Sequence, residues 1–496
     1  MRDLYLAIDV GTGGLRSALV DRHGKILAYS HKEHEQIVRK FGWSEQRPDD
    51  WWMGTVQTIY DVLQKVDGAA GRIAAICCCG QMHGTVLIDD NGALTRDTAP
   101  LWNDKRTLPQ VAAMNRVRTD REYLDLTANL PAPAWPAGKL AWIAQNDPNA
   151  FGKSATVLMP KDWINFKLTG KRAQDVTEAS LSFLMDRRTR KWSPELCDCA
   201  GVPTALLPEL LEPGEILGKL SSSAADELGL DRSIPVLVGA GDFPMALTGS
   251  GLVEAGMGSD VTGTSTIISL MHKDPVLDPE VSNVISASGL WAAFTLLDAG
   301  GDAVRWARRA FHENKRSYAE VAQKSAEADP GVNKLFFLPY LSGERFGANS
   351  NARAQFFGLT ASHGLADLHR AVLEGVAFSV RQKLDALQGD HGRPDRIVAA
   401  SGGAKNTLWL EIKASMYNTP YLIPDELECG IVGAAMLMAQ ATGDVTSCEE
   451  AAAKMVSYSS EIQPNPKWAE RYDRMMPIYA RLYESSKAFY DDLDAL

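Results

Sequence analysis

Residues 4–20 read LYLAIDVGTGGLRSALV, and the middle of the chain echoes them with DVTGTSTIISL at 260–270. In the first stretch Leu4 to Ile8 is an unbroken apolar run that reads as a buried strand, Leu15 to Val20 reads as a second strand, and Asp9-Val10-Gly11-Thr12-Gly13-Gly14 joins them. Short apolar runs bounded by glycine predict buried strands. The turn Asp21-Arg22-His23-Gly24 then leads to a third strand from Lys25 to Tyr29. The later stretch again has an aspartate, then Gly-Thr, then a β-rich run, so the chain reads as duplicated.

Amphipathic helices lie around these strands. Trp51 to Val66 carries Trp52, Val56, Ile59 and Leu63 at helical spacing after the capping Asp49 and Asp50. Leu365 to Leu387 is another, stopped by Gly389, and Trp468, Tyr472, Met475, Tyr479 and Leu482 form an apolar packing stripe near the C-terminus. Strands alternating with helices in both halves predict α/β domains. The crossing falls in Leu237 to Gly256, which divides the chain into domains 1–245 and 246–496. No Ser- or Pro-rich linker separates them, so a hinge is expected.

The bulk numbers agree with this division. A chain of 496 residues exceeds one hydrophobic core, and 45% hydrophobic with 23% charged residues is a globular balance. The net charge of −11 gives no footprint for nucleic acid or an acidic membrane. Any phosphate compound would have to be held by local backbone amides and a metal ion. The seven cysteines, three of them adjacent at Cys77, Cys78 and Cys79, do not suit a disulfide framework, and Cys197 with Cys199 lacks the second pair that zinc would need. The opening MRDLYLAIDVG has too short an apolar stretch for a signal peptide or a membrane span, so a cytoplasmic location is expected.

Several segments could carry chemistry, and each also has a structural reading. Asp9 ends a buried strand and is followed by Gly11, Thr12 and Gly13, which suits contact with a metal and phosphates or simply a tight hairpin. Gly263, Thr264 and Ser265 stand at the equivalent place in the second half; two such turns across a cleft would supply amides and hydroxyls to a triphosphate. A third turn, Ser401-Gly402-Gly403-Ala404-Lys405-Asn406, follows the apolar Ile397 to Ala400, and its lack of bulk would let a base or ribose lie on backbone. Asp242, set among glycines after an apolar strand, is the candidate general base; the alternative is a turn aspartate capping the helix from Pro244. Gln81-Met82-His83-Gly84 offers a hydrogen-bonding ring and an apolar wall for a polyol. Trp102-Asn103-Asp104 and Lys161-Asp162 read first as satisfied structural hydrogen bonds.

Two familiar nucleotide signatures fail. Gly152-Lys153-Ser154 resembles the end of a P-loop, yet Asp147 stands where the first glycine is required. Arg16 likewise replaces the third glycine of a dinucleotide fingerprint.

Taken in order, AIDVGTGG, WSEQRPDDWW, GQMHG, LWNDKR, LMPKDWINFKLTG, GAGD, VTGTST, FLPYLSGER, FFGLT and SGGAKN resemble the FGGY family of carbohydrate kinases, and within it the xylulokinases, over nearly the whole chain. The resemblance implies two actin-like, ribonuclease-H-like domains with an interdomain cleft, MgATP as donor, and transfer to a terminal hydroxyl of a sugar or polyol. It implies that Asp242 is the base and that Met82 and His83 lie in the sugar pocket with Trp102, Asn103 and Phe243 close by. Asp9, with Asp242, would lie near Mg2+, and Gly11, Thr12 and Gly13 near the phosphates. Gly263, Thr264 and Ser265 would meet phosphate, and Gly402, Gly403, Ala404 and Asn406 the adenosine. A homodimer is the family expectation.

D-xylulose, giving D-xylulose 5-phosphate, is the acceptor that the resemblance implies first. Ribulose, other ketoses, pentitols, tetritols and glycerol are alternatives, as is a non-catalytic sugar sensor. Three departures bear on this. Phe243 stands where xylulokinases carry asparagine, Phe346-Gly347 replaces a Thr-Pro-His, and Gly13 replaces a hydroxyl residue.

Overall fold

The structure, a computed structural model, describes residues 2–344, 350–389 and 391–496. Phe346 and Gly347 lie outside the described residues. The chain forms two compact units: residues 1–253, 273–292 and 428–456, and residues 254–272, 293–427 and 457–496. Each is an α/β domain built on one large sheet.

The sheet of the first unit contains β1 (Leu4–Val10), β2 (Gly14–Asp21), β3 (Ile26–Glu33), β4 (Ile73–Gly80), β5 (Ile216–Lys219) and β6 (Pro235–Gly241). Their order is β5-β6-β4-β1-β2-β3. β1 runs antiparallel to β2 and parallel to β4, β4 is parallel to β6, and β6 is antiparallel to β5. All seven residues of β1 and all eight of β4 are buried, as expected of strands covered on both faces. Helix Pro48–Gln64 covers one face; it starts three residues before Trp51 because Pro48 is tolerated in a first helical turn, where no N–H is needed.

Six of the seven strands of the second sheet are β7 (Met257–Thr262), β8 (Thr266–His272), β9 (Trp291–Leu297), β10 (Arg396–Ala400), β11 (Tyr421–Pro424) and β12 (Tyr458–Ile462), in the order β9-β8-β7-β10-β11-β12, and the seventh is Ser282–Ile285. β7 is antiparallel to β8 and parallel to β10, β10 is parallel to β11, and β11 is antiparallel to β12. Strand by strand this repeats the first sheet, and the echo between residues 9–20 and 260–270 has its counterpart in the topology. Helices Leu365–Leu387 and Pro466–Asp494 also stand where helical spacing puts them, with Tyr472, Met475 and Tyr479 buried.

Position 245 falls inside helix Asp242–Gly249, and the chain stays with the first unit to Val253 before returning twice. The return at 428–456 has a physical reason. Helix Cys429–Ala441 is apolar all round and buries Ile431, Val432, Ala435 and Met438 with Tyr5, Ala7, Cys77 and Cys79, so it belongs to the β1–β4 face whatever its place in the sequence. Its crossing with Asp242–Gly249 is very close. A Cβ at Gly249 would lie 1.8 Å from the Cys429 carbonyl oxygen, and one at Gly433 would lie 2.3 Å from that of Met245.

One irregularity shapes the site. The register of β6 against β4 shifts between Leu237 and Ala240, and Gly239 takes φ +74° with its Cα against the Cys78 carbonyl, where a Cβ would sit at 1.8 Å. Only glycine fits such a bulge. The Val238 carbonyl accepts instead from Asn165 Nδ2 at 2.7 Å and from Lys161 Nζ at 3.3 Å. Among the described residues no helix is long and apolar enough to cross a membrane.

Candidate active site

In the first unit the parallel strands β1, β4 and β6 finish side by side: Asp9 pairs with Cys79, Val10 with Gly80, and Gly80 with Gly241. Their carboxyl ends carry Gly11-Thr12-Gly13, Gln81-Met82-His83 and Asp242-Phe243, which is the edge of a parallel sheet where ligands bind. Asp9 Oδ2 accepts a 2.9 Å hydrogen bond from Arg16 Nη1, while its buried Oδ1 has no partner. Burial pushes this carboxyl up, and the Arg16 charge partly offsets the rise. A side chain at Gly11 would begin 2.8 Å from Arg16 Nη1, whereas Gly13 has open space.

Two residues hold the first turn. Thr12 Oγ1 accepts from Trp102 Nε1 at 3.0 Å, and its carbonyl accepts from Gln46 Nε2 at 2.7 Å. Gln46 Oε1 in turn accepts from Trp51 Nε1 and Gln81 Nε2 at 3.1 and 2.7 Å. Gln46 thus links the first turn to the Gln81 loop, a role that its place in WSEQ did not disclose. The buried Asn103 Oδ1 has no partner. Asp104 is structural: it accepts from Ser44 N–H at 2.7 Å and takes Arg106 Nη2 at 2.7 Å.

Asp242 is the first residue of its helix and not the cap, which is Gly241. Its Oδ1 accepts from Phe243 N–H at 2.7 Å. Burial, with the negative charge of Asp9 second, pushes its carboxyl up to about 7. Gly241 brings backbone against Met82, where a Cβ would lie 2.7 Å from Cγ, and donates its N–H to Thr177 Oγ1 at 3.1 Å. His83 is buried at φ +68°, and Phe243 is half-buried. Lys161 and Asp162 are buried structural groups that pair with each other.

The second unit holds a cavity of about 600 Å3 at the carboxyl ends of β7 and β10. Gly263 and Thr264 line it together with Gly402, Gly403 and Asn406; Ser265 and Ala404 do not. Ser265 instead offers its carbonyl to Gly263 N–H at 2.9 Å, and Ala404 N–H donates to Ser401 O at 3.2 Å. Thr262 explains Gly403, since a Cβ there would lie 2.7 Å from Thr262 Cβ. Gly301, Arg305, Tyr318 and Trp409 also line the cavity, and sequence reasoning missed them because, as helix residues, they carry no local mark of a ligand site. Asp260 occupies the position of Asp9, pairing with Ala399 one residue before the end of β10, yet Lys413 Nζ and Tyr421 OH both bind its Oδ2 at 2.8 Å. It is a satisfied core group.

Gly301 N–H donates to the Gly263 carbonyl at 2.8 Å, and a Cβ there would lie 2.4 Å from that oxygen. Gly301→Ala is therefore expected to push the Gly263 turn out of place; if this turn meets the nucleotide as the family resemblance implies, calorimetry should show ADP binding weakened by about tenfold or more. Unchanged affinity would separate this turn from the nucleotide.

Residues 4–249 match the N-terminal domain of the FGGY family of carbohydrate kinases, and residues 259–442 match its C-terminal domain. A xylulose kinase from Bacillus subtilis (strain 168) is 30% identical over 487 residues, covering 97% of each chain. A ligand-bound xylulose kinase from Lactobacillus acidophilus superposes with a TM-score of 0.92 at 26% identity over 99% of both chains. A gluconate kinase from the same organism does so with a TM-score of 0.92 at 26% identity, over 99% of this chain and 100% of that one. Two α/β domains with glycine turns at the ends of their parallel strands therefore belong, in this chain, to an ATP-dependent sugar kinase. The chain is a member of the FGGY family of carbohydrate kinases.

Proposed function

We propose that the protein transfers the γ-phosphoryl group of MgATP to a terminal hydroxyl of a small sugar, with D-xylulose first among the acceptors and Asp242 as general base. One observation carries this reading. Asp242 directly follows the end of β6, beside the strand ends that carry Asp9 and the Met82-His83 loop, with its carboxyl pushed up to about 7, where an acid can both lose and hold a proton at neutral pH. In phosphoryl transfer the base need only accept the hydroxyl proton as the acceptor oxygen attacks phosphorus; positioning supplies most of the rate.

In this reading the first unit binds the acceptor and the second binds the nucleotide, and both are actin-like domains with ribonuclease-H-like sheets, as their repeated strand order supports. Asp9, with its unpartnered Oδ1, and Asp242 fit a magnesium ion, which asks for only one or two carboxylates beside water and phosphate oxygens. When bound, the ion neutralises charge on the phosphates. The first-unit turn at Gly11 to Gly13 would face phosphate, as would Gly263 and Thr264, while Gly402, Gly403 and Asn406 would meet the adenosine. We also place the enzyme in the cytoplasm, which the buried Cys77 to Cys79 run suits.

A second acceptor class follows from Phe243. A xylulose kinase and a gluconate kinase share this chain's fold equally well, so side chains decide the acceptor. A phenyl ring cannot offer the hydrogen bond of an amide, and sites built on such a bond discriminate by about four decades against substrates lacking the matching group. This favours a polyol or ketose with a different hydroxyl pattern. Coupled ADP production across ketopentoses, pentitols, tetritols and glycerol tests the reading, and ADP formation that no acceptor accelerates would overturn it.

The pH dependence has a definite sign. The base acts only when ionised, so kcat/KM for the best acceptor should climb as pH rises through about 7 and then level off. A profile flat from about pH 5 to 8 would show that another group takes the proton.

A further inference from the structure

His83 holds a left-handed backbone that non-glycine residues seldom adopt, and two buried ionisable side chains keep it there. Its N–H donates to Glu178 Oε2 at 3.3 Å, and its carbonyl accepts from Lys139 Nζ at 2.8 Å. Glu178 comes from helix Val176–Ser180 and Lys139 from helix Pro136–Asn146, so distant stretches converge on one loop residue. Trp135 presses on the ring edge-on, with centroids 5.0 Å apart and planes at 73°. Of the ring nitrogens, Nδ1 is sealed from solvent 3.7 Å from Glu178 Oε2, and neither Nδ1 nor the buried Glu178 Oε1 has a hydrogen-bond partner. A buried polar atom left unpaired costs about 1–3 kcal/mol, so an unpaired Nδ1 beside a carboxyl that itself has one unpaired oxygen calls for a bond that forms in the working enzyme.

We propose that Glu178 is a positioning residue for His83: its carboxyl donates a hydrogen bond to Nδ1 while accepting one from the His83 N–H, so that the ring presents Nε2–H to an oxygen of the acceptor. The inference rests on the reading that this loop binds the acceptor. Hydrogen bonds at such sites are long in the unliganded state and tighten when substrate binds, which accommodates the 3.7 Å separation. The protonation states agree. Burial first, and then the charge of Asp175, hold the Glu178 carboxyl well above its usual range. Burial and the Lys139 charge hold His83 well below its own, and burial lowers Lys139 to about 7. The other charged groups facing Glu178 are Lys161 and Asp162 on helix Pro160–Thr169 and Asp242. A neutral acid beside a neutral ring leaves one tautomer with both Nδ1 and the carboxyl satisfied.

The test compares the full-length enzyme with E178Q and E178A. A glutamine can accept from the His83 N–H and donate to Nδ1, as a neutral acid does; alanine can do neither. E178Q should keep the acceptor KM within about twofold, whereas E178A should raise it by about tenfold with a smaller change in kcat. Long-range 15N spectra of histidine-labelled protein at neutral pH, without acceptor, should show His83 as the Nε2–H tautomer in wild type and E178Q and as a mixture in E178A, with the peak assigned by its loss in H83Q. An Nδ1–H tautomer in wild type overturns the proposal, even if E178A fails to fold. So does E178Q being as impaired as E178A, which would mean that the carboxyl works ionised, or E178A matching wild type. If wild type phosphorylates none of the acceptors, the kinase reading fails while the tautomer is still measured, so the two failures are distinct.

Discussion

Asp242→Asn is expected to lower kcat/KM by about 10^2- to 10^4-fold, the loss typical of a positioned general base, while ADP affinity stays within about twofold. Asparagine keeps the shape and the acceptor for the Phe243 N–H and removes only the ability to take a proton. Stability should move the other way. A carboxyl whose folded pKa is raised to about 7 from an ordinary value near 3.8 favours the folded state less once it must ionise there. The wild type therefore loses stability as pH climbs from about 4 to about 7, and asparagine escapes this. The variant should melt above wild type at about pH 8, and the difference should vanish below about pH 4. Near-normal turnover in the asparagine enzyme would remove Asp242 from the role of base, and a lower melting temperature at alkaline pH would mean that its carboxylate is stabilising.

Lys161→Met should be the most damaging single change to stability in the first unit, costing about 3–5 kcal/mol, because it leaves buried charge uncompensated. Lys161 is fully buried and pairs with Asp162 and, at 2.7 Å, with Asp175 Oδ2. Its Nζ also reaches the Val238 carbonyl that the Gly239 bulge frees from the ladder. Asp175 Oδ1 in turn caps helix Val176–Ser180 by accepting from the N–H groups of Thr177 and Glu178 at 2.8 and 3.2 Å, and Thr177 receives the Gly241 N–H. The lysine therefore supports both the strand end that presents Asp242 and the helix that presents Glu178. Urea unfolding of the full chain reads the cost. Adding Asp162→Asn to Lys161→Met should recover part of it, since one of the stranded carboxylates is then gone. If methionine is tolerated within about 1 kcal/mol, the triad is replaceable packing and not the support of the site.

Legibility in the sequence followed the range of the forces involved. Buried strands, glycine turns and the doubled plan were readable because an apolar run or a turn residue acts on its own few neighbours. Asp9, Asp242 and the Met82-His83 loop could be singled out for the same reason: each lies at or just past the end of a strand whose own residues announce it. Gln46, Lys139, Glu178 and Gly301 could not. Each matters through a partner remote along the chain, such as the His83 carbonyl for Lys139 or the Gly263 carbonyl for Gly301. Nor does a local pattern carry a role with it. The echo of Asp9 at Asp260 is real in topology, yet Lys413 and Tyr421 turn the second aspartate into a core group.

By itself, then, the order of residues determined two α/β halves with glycine turns at the ends of their strands, because period and glycine placement are local properties. Only the tertiary structure decided which polar groups are left unsatisfied for a ligand, which are spent on one another, and that helix Cys429–Ala441 completes the first unit. The reason is that burial and hydrogen bonding depend on distance in space, and residues hundreds of positions apart become neighbours only when the sheets form.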